Sequence, residues 1–175
     1  MRFAGTSLGH FPIPSLILLC LLLTCSPAQA TPGILFLTGT EQRIDLQDWV
    51  AYRQTPQNIS YQQLLDSKSA WSSGSNRTDM NFGYTRDAVW MKLTLSSSAS
   101  RDTLWHLHFP YSSLNRVDIY QSDRGVKTSG ATVPLKQRDL PHRDPAFSLR
   151  LAPGEQATLH IRAESAGSLT LASQL

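Results

Sequence analysis

The segment that decides the fold is Asn81–Leu95, which reads NFGYTRDAVWMKLTL. Its second half alternates apolar with other residues at a period of two, which is typical of an extended strand with one buried face. The residues on the apolar side, which we expect in the core, are Val89, Met91, Leu93 and Leu95. Trp90 falls on the opposite side together with Lys92 and Thr94. A tryptophan on the polar side of a strand is unusual, and Trp90 is either a ligand contact or a partly buried anchor packed under a loop.

Segments with the same alternation follow this strand to the end of the chain. They cover residues 103–109, 116–120, 126–128, 147–151, 158–163 and 168–171. Turn sequences separate several of them, including Asp123-Arg124-Gly125 and Ala152-Pro153-Gly154-Glu155. Short strands at such spacing predict an all-β chain folded as an antiparallel sandwich or barrel.

Upstream of the deciding segment the patterns are shorter. Residues 33–37, 43–46 and 49–52 are predicted as short extended pieces. Ser60 precedes the sequence YQQLL, with Gln63 at the position of a capping box, and this predicts one short helix. Residues 66–80 are rich in serine and asparagine and are predicted as a loop that contains Trp71.

The first thirty residues have the features of an export signal. Arg2 is followed by the apolar run Leu16–Leu23, and Ala28-Gln29-Ala30 is a small-residue cleavage site. We predict a signal peptide over residues 1–30 and one domain over residues 31–175. A lipid anchor on Cys25 is the alternative. Both cysteines of the chain lie in the signal, so the predicted mature domain contains no disulfide or thiol.

Composition excludes several classes of function. The chain has 16 basic and 13 acidic residues without a basic run, which argues against a nucleic-acid partner. It has no Gly-x-Ser-x-Gly sequence and no glycine-rich phosphate loop, so we predict no enzyme. A second apolar segment is also lacking, so we expect the chain as given to be soluble once it is exported.

The best candidate for a binding site combines aromatic and cationic residues. Aromatic faces stack on flat ligands, and arginine donates paired hydrogen bonds to hydroxyls and carboxylates. The predicted ligand-binding residues are Tyr84, Arg86, Trp90, Tyr111, His142 and Arg143. A carbohydrate or another small molecule is the expected ligand.

A metal site is the weaker possibility. His106 and His108 occupy alternate positions of one predicted strand and therefore share a face, where two imidazoles can bind one zinc ion. His160 is a candidate third ligand. Because no carboxylate pattern completes the site, we predict no metal and no cofactor.

Several segments together resemble a known family. Five segments, taken in order, resemble the type-2 extracellular sensor domain of bacterial seven-transmembrane receptors with diverse intracellular signalling modules. They are Asn81–Trp90, residues 109–120, 140–147 and 151–155, and the sequence Gly167-Ser168-Leu169-Thr170. The resemblance covers about residues 34–172. It implies a jelly-roll β-sandwich similar to carbohydrate-binding modules, placed in the periplasm ahead of seven membrane helices. It also implies a histidine kinase or diguanylate cyclase as output.

From this resemblance we expect a non-catalytic periplasmic sensor domain of an inner-membrane receptor. Membrane contact would then occur only through a C-terminal transmembrane region that this sequence does not include, and the chain is a fragment, the product of a truncated gene or a stand-alone copy. The alternative is an interaction module that has no small-molecule ligand. It would form a homodimer, or a heterodimer with a related receptor.

Overall fold

The computed structural model describes residues 33–77 and 79–175. The predicted signal peptide, residues 1–30, and the alternative lipid anchor at Cys25 lie outside the described residues. Within the described residues, no helix is long and apolar enough to cross a membrane. Nearly all of the predicted mature domain, residues 31–175, is therefore covered.

The described chain contains eleven strands, one short α-helix and three 3₁₀ turns. The strands are β1 (Ile34–Leu37), β2 (Val50–Pro56), β3 (Ser72–Ser73), β4 (Asn81–Tyr84), β5 (Asp87–Ser97), β6 (Thr103–His108), β7 (Arg116–Gln121), β8 (Gly125–Ser129), β9 (Ala146–Leu151), β10 (Gln156–Glu164) and β11 (Ser168–Thr170). Helix α1 is Tyr61–Asp66, and the 3₁₀ turns are Gln47–Trp49, Gly74–Asn76 and Leu135–Gln137.

Strand β5, the second half of the deciding segment, is the centre of a seven-stranded sheet. The strand order is β3-β2-β5-β10-β7-β8, and β1 pairs with the last residues of β5. All of these pairs are antiparallel except β1 with β5. Because β5 is 11 residues long, it accommodates β2 and β1 one after the other along the same edge.

Two smaller antiparallel pairs, β6-β9 and β4-β11, form the second layer. The C-terminal segment extends this layer, because Gln174 exchanges backbone hydrogen bonds with His108 at the end of β6. Phe82 of β4 contacts Tyr52 of β2 with ring centroids 5.2 Å apart, which brings the two layers together.

The apolar sides of both layers meet in one core, as the alternation of the sequence predicts. Val89, Met91, Leu93 and Leu95 have no exposed surface. The second layer supplies Trp105, Leu107 and Phe109 from its first strand and adjoining turn, and Phe109 packs edge-to-face on Phe147. These observations confirm the prediction of an all-β antiparallel sandwich with one short helix. The closer likeness to jelly-roll carbohydrate-binding modules stays a prediction.

Helix α1 begins at the predicted position. The Gln63 backbone N–H donates to the Ser60 hydroxyl, and the Ser60 backbone N–H donates to Oε1 of Gln63, which completes a capping box. The following loop is more regular than predicted, since β3 and a 3₁₀ turn lie between residues 72 and 76. Ser72 and Ser73 join the sheet through backbone pairing with β2. Because both residues are polar, the sequence has no apolar alternation there that would predict a strand.

Candidate functional site

An aromatic platform covers the outer face of the large sheet where α1 crosses it. We use this name for the five rings of Tyr61, Trp71, Trp90, Tyr120 and His160. The alternation that directs apolar residues of β5, β7 and β10 into the core directs three of these rings outward. Tyr120 and His160 are directly opposite each other in the pairing of β7 with β10. The platform thus belongs to the face of the sheet that the second layer leaves free.

Tyr61 is the central ring of the platform. Its centroid lies 4.5 Å from that of Tyr120, with the ring planes inclined by 19°. It also lies 6.3 Å from Trp90 and 5.5 Å from His160, and its hydroxyl is 3.3 Å from His160 Nδ1. Because Tyr61 is the first residue of α1, the capping box at Ser60 holds the backbone from which this ring extends.

Trp90 forms the base of the platform and is completely buried. Its indole N–H donates to the hydroxyl of Thr55 over 3.1 Å, and the Arg162 guanidinium lies 5.9 Å from the ring centroid. Of the two roles considered for Trp90, a ligand contact and a buried anchor, this placement favours the anchor. The residue does lie on the outer side of the sheet, but Tyr61 and Tyr120 cover it. A ligand on the platform would therefore contact Tyr61 and Tyr120, with Trp90 supporting them.

Trp71 extends the platform toward solvent and is partly exposed. Its ring lies 6.2 Å from His160, and the Arg53 guanidinium lies 5.8 Å from its centroid. Arg53 also donates a hydrogen bond of 3.4 Å to the carbonyl of Ser69, which ties the loop before Trp71 to β2. The Trp71 ring is therefore held by a cation–π contact with Arg53 and by the hydrogen bond from Arg53 to the Ser69 carbonyl.

Two polar groups of the platform, His160 and Tyr120, are uncharged at neutral pH. Burial lowers the pKa of His160 to about 4, and the positive charge of Lys92 acts in the same direction. Burial raises the pKa of Tyr120, and the charge of Asp118 adds to this effect. Arg162 supplies a cation beside the rings, paired with Glu164 at 2.9 Å. Neutral rings flanked by hydrogen-bonding groups suit an uncharged polar ligand.

The other predicted ligand-binding residues lie away from the platform. Tyr84 is 87 % exposed and Arg86 is also exposed, both near the end of β4. Tyr111 is half-buried against the core. His142 and Arg143 lie in an exposed loop before β9. Among the described residues, no hydrogen bond, ring contact or ion pair joins any two of the six predicted residues.

The structure does not bring together the three histidines of the possible zinc site, His106, His108 and His160. His106 is exposed and His108 is half-buried, and both point away from the core as predicted. His160 belongs to the platform on the large sheet, so the idea that it completes a site with them is wrong. The residues that meet His108 are His142 and Asp144.

Several platform residues were not found from the sequence. The sequence places Trp71 alone in a polar loop and Tyr61 in the predicted helix, and it indicates no further role for either. The available signal was the outward position of Tyr120 and His160 in their strands, which placed two rings on the same face as Trp90. The packing of α1 against that face adds Tyr61 to these rings, and the contact with His160 adds Trp71 from the loop.

A comparison with known protein families supports the resemblance that the sequence indicated. The sequence model of one family, described as 7TMR-DISM extracellular 2, matches residues 46–175. This range includes every residue of the aromatic platform. A comparison with curated proteins found no match.

Proposed function

The chain belongs to the 7TMR-DISM extracellular 2 family of receptor sensor domains, and on this basis we propose that it binds a carbohydrate in the periplasm. In this proposal it is the ligand-binding part of an inner-membrane receptor of the sensor kinase or diguanylate cyclase type. Sensor domains of this family are in general non-catalytic. We accordingly propose a role in binding and none in catalysis.

The observation that supports a carbohydrate ligand is the aromatic platform. Trp71 and Tyr61 are partly exposed and present flat, uncharged ring faces. The neutral imidazole of His160 and the cation of Arg53 lie beside these rings. A sugar ring has an apolar face that packs on aromatic rings, and hydroxyls that pair with neighbouring donors and acceptors.

Binding at the platform also offers a way to alter the receptor. A ligand changes the balance between two conformations only if it binds one of them more tightly. Helix α1 has only six residues and reaches the platform through Tyr61, with Leu64 buried beneath it. A ligand that contacts Tyr61 would therefore favour one position of α1, which is the differential affinity that signalling requires.

A glycan array probed with the purified chain tests this proposal. We expect binding to a restricted class of glycans, and a reduction of at least about tenfold in affinity for Trp71→Ala, because loss of one central aromatic contact commonly costs more than 1.4 kcal/mol. Phe36→Ala is the matched control, since it removes an exposed aromatic ring outside the platform and outside the predicted ligand-binding residues. Absence of glycan binding by the folded wild-type chain would contradict the proposal, as would equal binding by Trp71→Ala.

A second function is favoured by a different observation. Tyr84 and Arg86 are both exposed and separated by one residue. Tyrosine and arginine are enriched among the residues that dominate protein interfaces. This surface therefore fits pairing with a second copy of the chain or with a related receptor. Sedimentation of the wild type beside Tyr84→Ala tests it: a dimer that the variant weakens supports the pairing, and a wild type that stays monomeric at high concentration contradicts it.

A further inference from the structure

We propose that His108, His142 and Asp144 bind one divalent transition-metal ion, for which zinc is the best match. The three side chains offer one ligand atom each, and these atoms lie within 4.8 Å of one another. They lie beside the end of β6, on the opposite layer from the aromatic platform. The proposal is therefore independent of the carbohydrate site.

His108 supplies the first argument. Its Nε2 atom is buried and has no hydrogen-bond partner among the described residues. The carboxylate oxygen Oδ2 of Asp144 lies 3.4 Å from Nε2 but outside hydrogen-bond geometry. An imidazole nitrogen buried in this way is costly unless it has a partner. A metal ion held between the two side chains would be such a partner.

The distances supply the second argument. Zinc binds nitrogen and oxygen ligands at about 2.0–2.2 Å, and in tetrahedral geometry two such ligand atoms are separated by roughly 3.4 Å. The separation of His108 Nε2 from Asp144 Oδ2 has this value. His142 meets His108 edge-on, with ring centroids 5.3 Å apart and planes at 88°. A small movement of His142, which lies in an exposed loop, would bring its nitrogen to the same spacing.

The loop that carries His142 and Asp144 is held by contacts outside the site. The Arg138 guanidinium donates to the backbone carbonyls of His142 and Arg143, at 2.7 and 3.2 Å. The Pro145 carbonyl accepts a hydrogen bond from the Phe109 backbone N–H. Hydrogen bonds of this kind orient metal ligands. They also raise the affinity for the metal, because the loop then loses less conformational entropy on binding.

The ligand set selects the metal. Two imidazoles and one carboxylate match zinc and related transition ions, whereas calcium and magnesium prefer sites built from oxygen alone. Three protein ligands leave a fourth position, which would face a cavity of about 430 Å³ lined by His106 and Pro141. Water would fill that position. His106 and His108 both line this cavity, but only His108 is one of the three ligands, and the other two come from the loop before β9.

Zinc titration of the purified chain, prepared without a histidine tag, tests the site. We expect one zinc per chain by calorimetry, and a visible absorption band of tetrahedral type when Co²⁺ is used instead. His142→Ala and Asp144→Asn each remove a ligand from an exposed or half-buried loop position and should lower zinc affinity at least about tenfold. Asp123→Asn is the matched control, because it removes an exposed carboxylate from the turn between β7 and β8.

Circular dichroism of each variant separates loss of the site from loss of the fold. The proposal is supported if the folded His142→Ala and Asp144→Asn variants bind zinc weakly while Asp123→Asn binds it as the wild type does. It is overturned if the wild type binds no zinc. Equal zinc affinity in all four proteins would overturn it as well, because binding would then involve other residues.

Discussion

The indole N–H of Trp90 donates a hydrogen bond of 3.1 Å to the hydroxyl of Thr55, in a position from which solvent is excluded. Both residues lie on the outer side of the large sheet, on neighbouring strands. The bond gives the buried indole its polar partner, so Trp90 can form the base of the aromatic platform without an unpaired donor.

Replacement of Thr55 by valine tests this relationship. Valine keeps the shape of threonine but leaves the indole N–H unpaired, so the free energy of unfolding should fall by about 1–3 kcal/mol. Thr55→Ser is the control, because it keeps the hydroxyl and removes only a methyl group. Urea denaturation of both variants provides the measurement, and an equal loss in the two would mean that the hydrogen bond contributes little.

The helix cap at Ser60 offers a second test. Ser60→Ala removes the acceptor for the Gln63 backbone N–H and should cost about 1 kcal/mol of stability. Hydrogen exchange should rise mainly in the amides of α1, because the rest of the fold does not depend on this cap. Ser60→Asp retains an acceptor and should behave like the wild type. Unchanged exchange in α1 of Ser60→Ala would contradict the role of the capping box.

Acidification should destabilise the fold through His160. Its pKa is about 4 in the folded chain and 6.5 in the unfolded reference, so the unfolded chain binds more protons between these values. The contribution of neutral His160 to stability is therefore complete above pH 6.5 and is lost as the pH falls toward 4. Urea midpoints across this interval should fall less steeply in His160→Gln than in the wild type. An NMR titration of His160 with a midpoint near 6.5 would contradict this account.

A close backbone approach makes Gly130 sensitive to substitution. Its φ is +128°, and an added Cβ would lie 2.4 Å from the carbonyl oxygen of Asn115. Gly125 also has a positive φ, of +75°, but an added Cβ there meets nothing within 4 Å. Gly125→Ala should thus cost about 1 kcal/mol from backbone strain alone, and Gly130→Ala about 3 kcal/mol or more. If thermal unfolding showed that Gly125→Ala is less stable than Gly130→Ala, the close contact between Gly130 and the Asn115 carbonyl would not limit substitution.

The sheet was predictable because its signals are local. The alternation of Val89, Met91, Leu93 and Leu95 predicts which face of β5 is buried, and the structure buries each of these residues completely. The Ser60–Gln63 pair likewise contains the whole capping box within four residues. Patterns of this kind need no information about distant parts of the chain.

The site was less predictable because its contacts are distant in sequence. Trp90 lies on the polar side of β5, and alternation alone predicts that this side is exposed to solvent. The structure covers Trp90 with a helix that begins at Tyr61, in a distant part of the sequence. Asp144 gave no signal as a metal ligand, because its partner His108 belongs to another element. Periodicity predicts the side of a strand on which a residue lies, but it does not predict what packs there.

The four tryptophans allow the central claim, ligand binding at the aromatic platform, to be tested in one spectrum. Trp71 and Trp90 belong to the platform, whereas Trp49 packs against the core and Trp105 lies in it. The measurement is an NMR titration of the ¹⁵N-labelled indole groups with a glycan selected by the array. The account predicts shifts for Trp71 and Trp90 and none for Trp49 and Trp105. Shifts confined to Trp49 or Trp105, or no shift at all with a glycan that binds, would contradict it.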